Sequence, residues 1–174
     1  ASEVVAETAD RVYGRTDARE VRFRDEGDRF SYRVPGVANE FWPVRDRLPG
    51  GENYGWGATL PMHIIRSIVG FREKENVSAT EFFLAPILPK AFVRAGKRYV
   101  VRNLHYREVT FDVTYEFEEF ERMKITFEYR SPHPTAVTVL SKSGNAVYQQ
   151  KDSKKANIIS FQGLNGSAYI VRLD

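Results

Sequence analysis

The feature that most limits how this chain can fold is a regular series of short apolar segments in its second half. Beyond Glu75, eight segments of strand length alternate apolar and polar residues or run apolar, and turns rich in Gly, Asn, Ser or Pro separate them. Successive side chains of a strand point to opposite faces, so this pattern places one face of each strand in a core. Strands at such regular spacing predict an antiparallel β-sandwich. The predicted strands cover residues 82–87, 98–104, 109–117, 123–129, 136–140, 146–149, 157–161 and 168–173.

The first 75 residues instead predict two helices and a hairpin. Ser2 is a plausible N-cap of a first helix that Gly14 ends, and alternation over residues 21–34 predicts a β-hairpin. A second helix begins near Ala58 or Thr59 and stops at Gly70. These elements are too few to bury their own apolar faces as a stable domain. Together with the strands that follow, they predict an α+β chain. Residues 1–75 form an incomplete helical portion and residues 76–174 form the β-sandwich.

Composition excludes several classes of function. The 26 Lys and Arg residues are spread among 23 Asp and Glu residues, so the net charge of +3 does not indicate a nucleic-acid partner. No cysteine is present, and the three histidines are scattered, so neither a thiolate nor a histidine metal site is expected. No phosphate-binding or dinucleotide-binding glycine motif appears, and no cofactor is expected.

No apolar run approaches the ~20 residues that a membrane span requires, so we expect no membrane partner. The chain begins at Ala1 without an initiator Met or a signal-peptide core. This start indicates a fragment, a processed chain or the C-terminal piece of a longer protein. The sequence leaves the cell compartment open.

One segment breaks the regular patterns and draws attention as a candidate active site. Residues 37–54 have no clean hydrophobic period and contain two prolines and two adjacent glycines, which predicts a long loop. Within it, Glu40 stands directly before Phe41 and Trp42. A carboxylate against apolar rings has its pKa raised, which suits acid or base chemistry near neutral pH. The alternative is a surface glutamate with no special role.

The end of the same loop carries a second set of candidate ligands. Glu52 and Asn53 can exchange hydrogen bonds with sugar hydroxyls while Tyr54 stacks on a sugar ring, although a Gly-Gly turn with a Glu near a helix N-terminus explains them equally. Trp42 and Trp56 are the two tryptophans of the chain and both flank the loop. Trp42 suits a ligand platform as well as a core, whereas Trp56 favours a core position.

Taken together, residues 35–70 resemble the last hairpin of the six-hairpin (α/α)-barrel glycosidases, the inverting families that include glucoamylase, trehalase and the mannosyl-oligosaccharide glucosidases. The shared pattern is a Glu followed by an aromatic residue, a Gly-containing loop, and Gly-aromatic-Trp-small opening an apolar helix. Here it consists of Glu40-Phe41, residues 48–53 and Tyr54-Gly55-Trp56-Gly57-Ala58. Residues 83–89, Phe-Leu-Ala-Pro-Ile-Leu-Pro, resemble the strand that opens the β-sandwich following the barrel in several of these families.

The resemblance implies a function for the individual loop residues. Glu40 matches the general base that activates the hydrolytic water, and Glu52 matches a second carboxylate, more readily a substrate ligand. Trp42, Asn53 and Tyr54 would contact the carbohydrate substrate, and Trp56 would support the floor of the pocket. Residues 1–75 would then be the end of the α/α barrel. The general acid, which the family takes from a middle hairpin, lies outside this chain, so we expect no catalysis unless the rest of the barrel completes the site.

Two other interpretations remain open at this level. The sandwich could be a non-catalytic carbohydrate-binding module, which exposed aromatic residues on one sheet face would support. It could also be a structural domain without a ligand, in which Glu40, Glu52 and Trp42 lie apart. The tyrosines that bear on the binding-module interpretation are Tyr99, Tyr106, Tyr115, Tyr129 and Tyr148.

Overall fold

The chain forms two compact units. A computed structural model describes residues 2–9, 22–24, 30–32, 59–74 and 80–174. One unit spans Ala1–Ile64 and the other Ile65–Asp174.

The first unit contains two helices and a hairpin among its described residues. Helix α1 is Ser2–Ala9 and helix α2 is Thr59–Ile64, and the two are in contact. Strands β1 (Arg22–Arg24) and β2 (Phe30–Tyr32) pair antiparallel, which confirms the predicted hairpin. Ser2 is the first helical residue and is buried. The predicted end of this helix at Gly14 lies outside the described residues.

The second unit consists of two antiparallel sheets, as the strand pattern predicted. The strands are β3 Phe71–Glu73, β4 Glu81–Leu84, β5 Arg98–Tyr106, β6 Val109–Phe117, β7 Arg122–Thr135, β8 Val137–Ser141, β9 Ala146–Gln149, β10 Lys154–Leu164 and β11 Tyr169–Leu173. The four-stranded sheet has the order β10-β7-β6-β5 and the five-stranded sheet has the order β3-β4-β11-β8-β9. This arrangement is consistent with a β-sandwich, and each of the eight predicted strands is present.

The core lies between the inward faces of the strands, where alternation places the apolar side chains. Phe82 of β4, Phe111 of β6 and Phe127 of β7 are all almost fully buried. Their ring centroids lie 5.1 Å apart for Phe82 and Phe111 and 4.7 Å apart for Phe111 and Phe127. Burying one such ring contributes roughly 1.5–3 kcal/mol relative to leaving it in water. The aromatic content therefore supplies much of the core that holds this unit together.

Two strands differ from their predicted extents. Strand β3 was not predicted; it lies before residue 75, where the sequence placed the division, yet pairs with β4 in the second unit. Strand β7 continues to Thr135 through Pro132 and Pro134, whereas the predicted strand ended at residue 129. The pairing of β7 with β10 jumps from Arg130 to Thr135 at an irregularity. Residues 131–134 are not among the paired positions, so the missing proline N–H groups remove no ladder hydrogen bond there.

The loop between β10 and β11 fastens one end of the sandwich. The Asn165 side chain accepts a hydrogen bond from the Leu88 N–H at 2.7 Å and donates one to the Leu88 carbonyl at 3.0 Å. Its backbone N–H donates to the Glu121 carbonyl at 2.8 Å, and the next N–H, of Gly166, donates to Pro86 at 2.7 Å. The side chain of Asn165 thus satisfies both the N–H and the carbonyl of Leu88, which lies outside the paired strand positions.

Candidate functional site

The residues predicted to form the active site lie outside the part of the chain that the structure describes. They are Glu40, Trp42, Glu52, Asn53, Tyr54 and Trp56. The structure therefore does not test which of them come together. What it does describe is the helix that directly follows this segment, and the π-helical turn with which the second unit begins.

This helix begins at Thr59, carries Pro61 in its first turn, and ends at Gly70, as predicted. Pro61 is tolerated there because the N–H groups of a first turn have no partner inside the helix. The last turn differs from the expected α-helix, because Ile65–Val69 is π-helical and the Gly70 N–H donates to the Ile65 carbonyl at 2.9 Å. Such wider turns are rare and occur frequently at functional sites.

The π-helical turn is part of the sandwich core. Val69 is buried, and Ile65 and Ile68 are half-buried and pack against the core. The Ile68 carbonyl accepts a hydrogen bond from the Ile87 N–H, and the Gly70 carbonyl accepts one from the Ala85 N–H, both at 2.9 Å. The chain leaving the helix therefore runs hydrogen-bonded beside residues 85–87 before it becomes strand β3.

Tyr115 of strand β6 fixes the end of the helix from inside the core. Its ring is 1% exposed, and its hydroxyl donates to the Val69 carbonyl at 2.6 Å. Helix ends leave carbonyl groups without intrahelical partners, and a buried one needs another donor. Burial raises the pKa of Tyr115 well above its ordinary value of 10.0, so the phenol stays a neutral donor throughout the physiological range.

We expect Tyr115→Phe to destabilise the protein by about 1–3 kcal/mol, because it leaves the buried Val69 carbonyl without its donor. The pH dependence has a definite sign. The folded-state pKa lies above the unfolded one, so this contribution is complete below pH 10 and is lost as the pH rises through the folded-state pKa. Urea titrations of wild type and variant at neutral and alkaline pH measure both effects, and Tyr115→Phe should weaken the alkaline loss of stability.

The matched control is Tyr99→Phe, because the Tyr99 hydroxyl also donates to a backbone carbonyl, that of Phe92, at 2.9 Å, but in an exposed setting. When Tyr99→Phe removes this exposed bond, water can hydrogen-bond to the Phe92 carbonyl instead. The control should therefore lower the free energy of unfolding by less than Tyr115→Phe does. Equal costs for the two variants would contradict the role of Tyr115 as a buried anchor.

An open concavity of about 600 Å³ lies beside the π-helical turn, lined by Arg66, Arg72, Lys74 and Phe83 among others. Two of its cationic side chains, those of Lys74 and Arg72, make contacts within the chain. The Lys74 ammonium lies 3.0 Å from a Glu81 carboxylate oxygen and 5.7 Å from the centre of the Phe83 ring, and Arg72 donates to the Arg66 carbonyl at 3.1 Å. We therefore interpret this concavity as a surface whose polar groups contact one another, and its lining does not indicate a ligand.

The tyrosines that a carbohydrate-binding surface would use are mostly in the core. Tyr106, Tyr115 and Tyr129 are buried. Tyr99 and Tyr148 are half-buried and pack against the core, and the Tyr99 ring lies 6.3 Å from that of Phe117 in an edge-on arrangement. Stacking on a sugar requires an open ring face, so these five residues form no stacking platform.

Within the described residues, no group of three or more His, Asp or Glu side chains is arranged to hold a metal ion. His105 Nδ1 lies 3.2 Å from the Thr110 hydroxyl, and the exposed His133 lies 3.9 Å from Glu108. Both are ordinary surface contacts on the four-stranded sheet. The described helices include none with the length and apolar character needed to span a membrane.

Of the two residues that fix the π-helical turn in the sandwich, Gly70 was predicted as the end of the helix, whereas the role of Tyr115 was not indicated by its sequence pattern. Tyr115 is simply one inward position of an alternating strand, and its partner Val69 is 46 residues away. The chain matches no protein-family model, no curated protein and no solved structure.

Proposed function

We propose that this chain is the C-terminal portion of an inverting six-hairpin glycoside hydrolase, with Glu40 as its general base. Residues 1–75 would contribute the last helices and an active-site loop of the α/α barrel, and the sandwich would anchor them. The supporting observation is the attachment of the helix that follows residues 50–58. Its last turn is held in the core by Tyr115 and closes on Gly70.

This attachment suits a catalytic loop because catalysis requires carboxylates held to within about 0.5 Å of their productive positions. The helix and its π-helical turn cover 59–69, so the proposed loop is followed in the sequence by a turn whose end is buried and hydrogen-bonded. In this proposal the sandwich stabilises the site and does not itself bind the substrate.

The proposed chemistry is a single displacement at the anomeric carbon. Glu40 accepts a proton from a water molecule as the water oxygen attacks, and an acid on the rest of the barrel donates a proton to the departing glycosidic oxygen. The two carboxyl groups of inverting enzymes lie ~6.5–9.5 Å apart to admit that water. Glu52 and Asn53 would bind sugar hydroxyls, Trp42 and Tyr54 would stack on the ring, and Trp56 would support the pocket floor.

The rival proposal of a carbohydrate-binding module is less well supported. It requires exposed aromatic faces, yet three of the five candidate tyrosines are buried in the core and the other two pack against it. A purely structural domain remains the simpler alternative. It accounts for the anchored helix but gives no reason for the Glu40-Phe41 and Gly-Trp-Gly-Ala motifs in front of it.

The proposal predicts that the 174-residue chain alone does not hydrolyse glycosides, whereas the full-length gene product does. The first measurement is the mass and sequence of that product, which should contain several hundred upstream residues with a helical-hairpin pattern. Both proteins are then assayed on a panel of oligosaccharides and aryl glycosides, with the anomeric form of the product followed by NMR. Robust turnover by the 174-residue chain, or a gene product without the hairpins, would contradict the proposal.

A further inference from the structure

The β6–β7 turn carries the most exposed aromatic ring among the described residues. Phe120 is 82% exposed, and its neighbours Glu118, Glu119 and Glu121 are exposed as well. A single exposed apolar side chain is common on protein surfaces, so Phe120 indicates a contact site only together with the surface around it. We call Glu118–Glu121 the acidic tip.

The acidic tip is held in place by the rest of the sandwich. Glu121 adopts a left-handed backbone with φ of 59°, and its carbonyl accepts a hydrogen bond from the Asn165 N–H at 2.8 Å. The Glu118 N–H donates to the Arg122 carbonyl at 3.1 Å, and the Glu118 carboxylate accepts a bond from Gln162 at 3.2 Å. Phe120 is therefore presented from a fixed turn, which reduces the entropy lost when a partner binds it.

A surface that complements the acidic tip lies next to it. An open concavity of about 870 Å³ is lined by Val147, Leu164 and Ala168, with the cationic side chains of Arg122 and Lys142 also on its wall. Val147 is 40% exposed and Leu164 is 49% exposed. Apolar walls with two cations suit an aromatic ring flanked by carboxylates.

The tip and the concavity share one side of the molecule. Arg122 directly follows the acidic tip and also lines the concavity, and it is the register partner of Leu164 in the four-stranded sheet. Its own contact with Glu119 is long, at 3.9 Å, and exposed, so it leaves the cation available. A surface that carries both halves of a complementary pair side by side can pair with itself about a two-fold axis.

We propose that a second copy of this chain docks here, so that Phe120 of each copy enters the concavity of the other. The carboxylates of each acidic tip would then face Arg122 and Lys142 of the partner copy. Self-pairing is favoured over an unrelated partner because the acidic tip and a concavity with cationic and apolar walls are both present within one chain. The inference does not depend on the proposed glycosidase activity.

Sedimentation equilibrium of the 174-residue chain, from low micromolar to submillimolar concentration, tests the proposal. We expect a monomer–dimer equilibrium that weakens as salt is added. Phe120→Ser should weaken dimerisation by about a hundredfold or more, because two buried rings are lost per dimer. Circular dichroism should be unchanged, since Phe120 is exposed in the folded monomer.

Two further variants separate the specific contact from general stickiness. Ile158→Ser removes another exposed apolar side chain, 62% exposed on the outer face of β10, and should leave the dimer unchanged. Lys142→Glu should weaken the dimer, and adding Glu119→Lys to it should restore part of the affinity. A monomer at every concentration, or a dimer that Phe120→Ser leaves intact, would overturn the proposal, as would equal losses for Phe120→Ser and Ile158→Ser.

Discussion

Gly70→Ala is expected to destabilise the protein by about 3–5 kcal/mol and to lower its melting temperature by about 10–20 °C. A Cβ atom at this position would lie 2.0 Å from the Ala85 carbonyl oxygen and 2.6 Å from the Pro86 nitrogen, which are backbone atoms. Neither can turn away as a flexible side chain could. The substitution would separate two segments that are joined by the Ala85–Gly70 hydrogen bond.

The control for this prediction is Gly96→Ala, which separates the clash from the backbone conformation. Gly96 has φ of +76°, close to the +82° of Gly70, yet a Cβ there would meet nothing within 4 Å. Placing a residue with a side chain in the left-handed region costs about 1–2 kcal/mol by itself. The difference between the two variants in urea denaturation therefore measures the close contact with residues 85–86.

The outcome also bears on function. If Gly70→Ala costs no more than Gly96→Ala, the helix end is not clamped against the sandwich as described, and the anchoring role loses its main support. If the large difference appears, the close contact of Gly70 with residues 85–86 contributes to stability as described.

Alternation along the chain was sufficient to predict the strands because each inward face is continuous. Val113, Tyr115 and Phe117 recur at every second position of β6, and the register with β7 keeps them on one face. The same rule assigns Tyr115 and Tyr129 to the core. The spacing places both tyrosines on the face of their strand that carries the apolar residues, and the structure shows that this face is buried.

Short or irregular elements have too weak a hydrophobic pattern to be predicted from the sequence. Strand β3 has only three residues, Phe71–Glu73, and is formed because β4 offers it a partner, which the local sequence does not reveal. Pro132 and Pro134 predicted an end to β7, because proline lacks the N–H that a ladder requires. The register irregularity at Arg130 and Thr135, set by a strand about 25 residues further on, makes them acceptable.

The sequence contains even less information about the structure of the candidate active site. Residues 37–54 have no hydrophobic period, and a segment without a period gives no information on which of its side chains face one another. Its interpretation came from residue types at particular spacings and from the resemblance they carry. The resemblance places the general acid on another hairpin, outside this chain. The position of Glu40 relative to that acid therefore remains a proposal, which mutation can test.

Under the proposed mechanism, Glu40→Gln in the full-length protein should lower kcat by about 10²–10⁴-fold with little change in KM, because it would remove the group that accepts the proton of the attacking water. Glutamine is nearly isosteric and keeps one oxygen in place, so substrate binding and the melting temperature should be retained. The acidic limb of the pH profile of kcat/KM, which reports ionisation of the base in the free enzyme, should be lost in the residual activity.

Glu52→Gln provides the comparison, since a ligand to sugar hydroxyls and a general base affect different kinetic parameters. An interaction made equally in the ground state and the transition state appears in KM, whereas one made only in the transition state appears in kcat. We therefore expect Glu52→Gln to raise KM more than it lowers kcat. If Glu52→Gln abolishes turnover while Glu40→Gln retains most of it, the general base belongs at Glu52; if neither variant affects hydrolysis, the loop is not the catalytic segment.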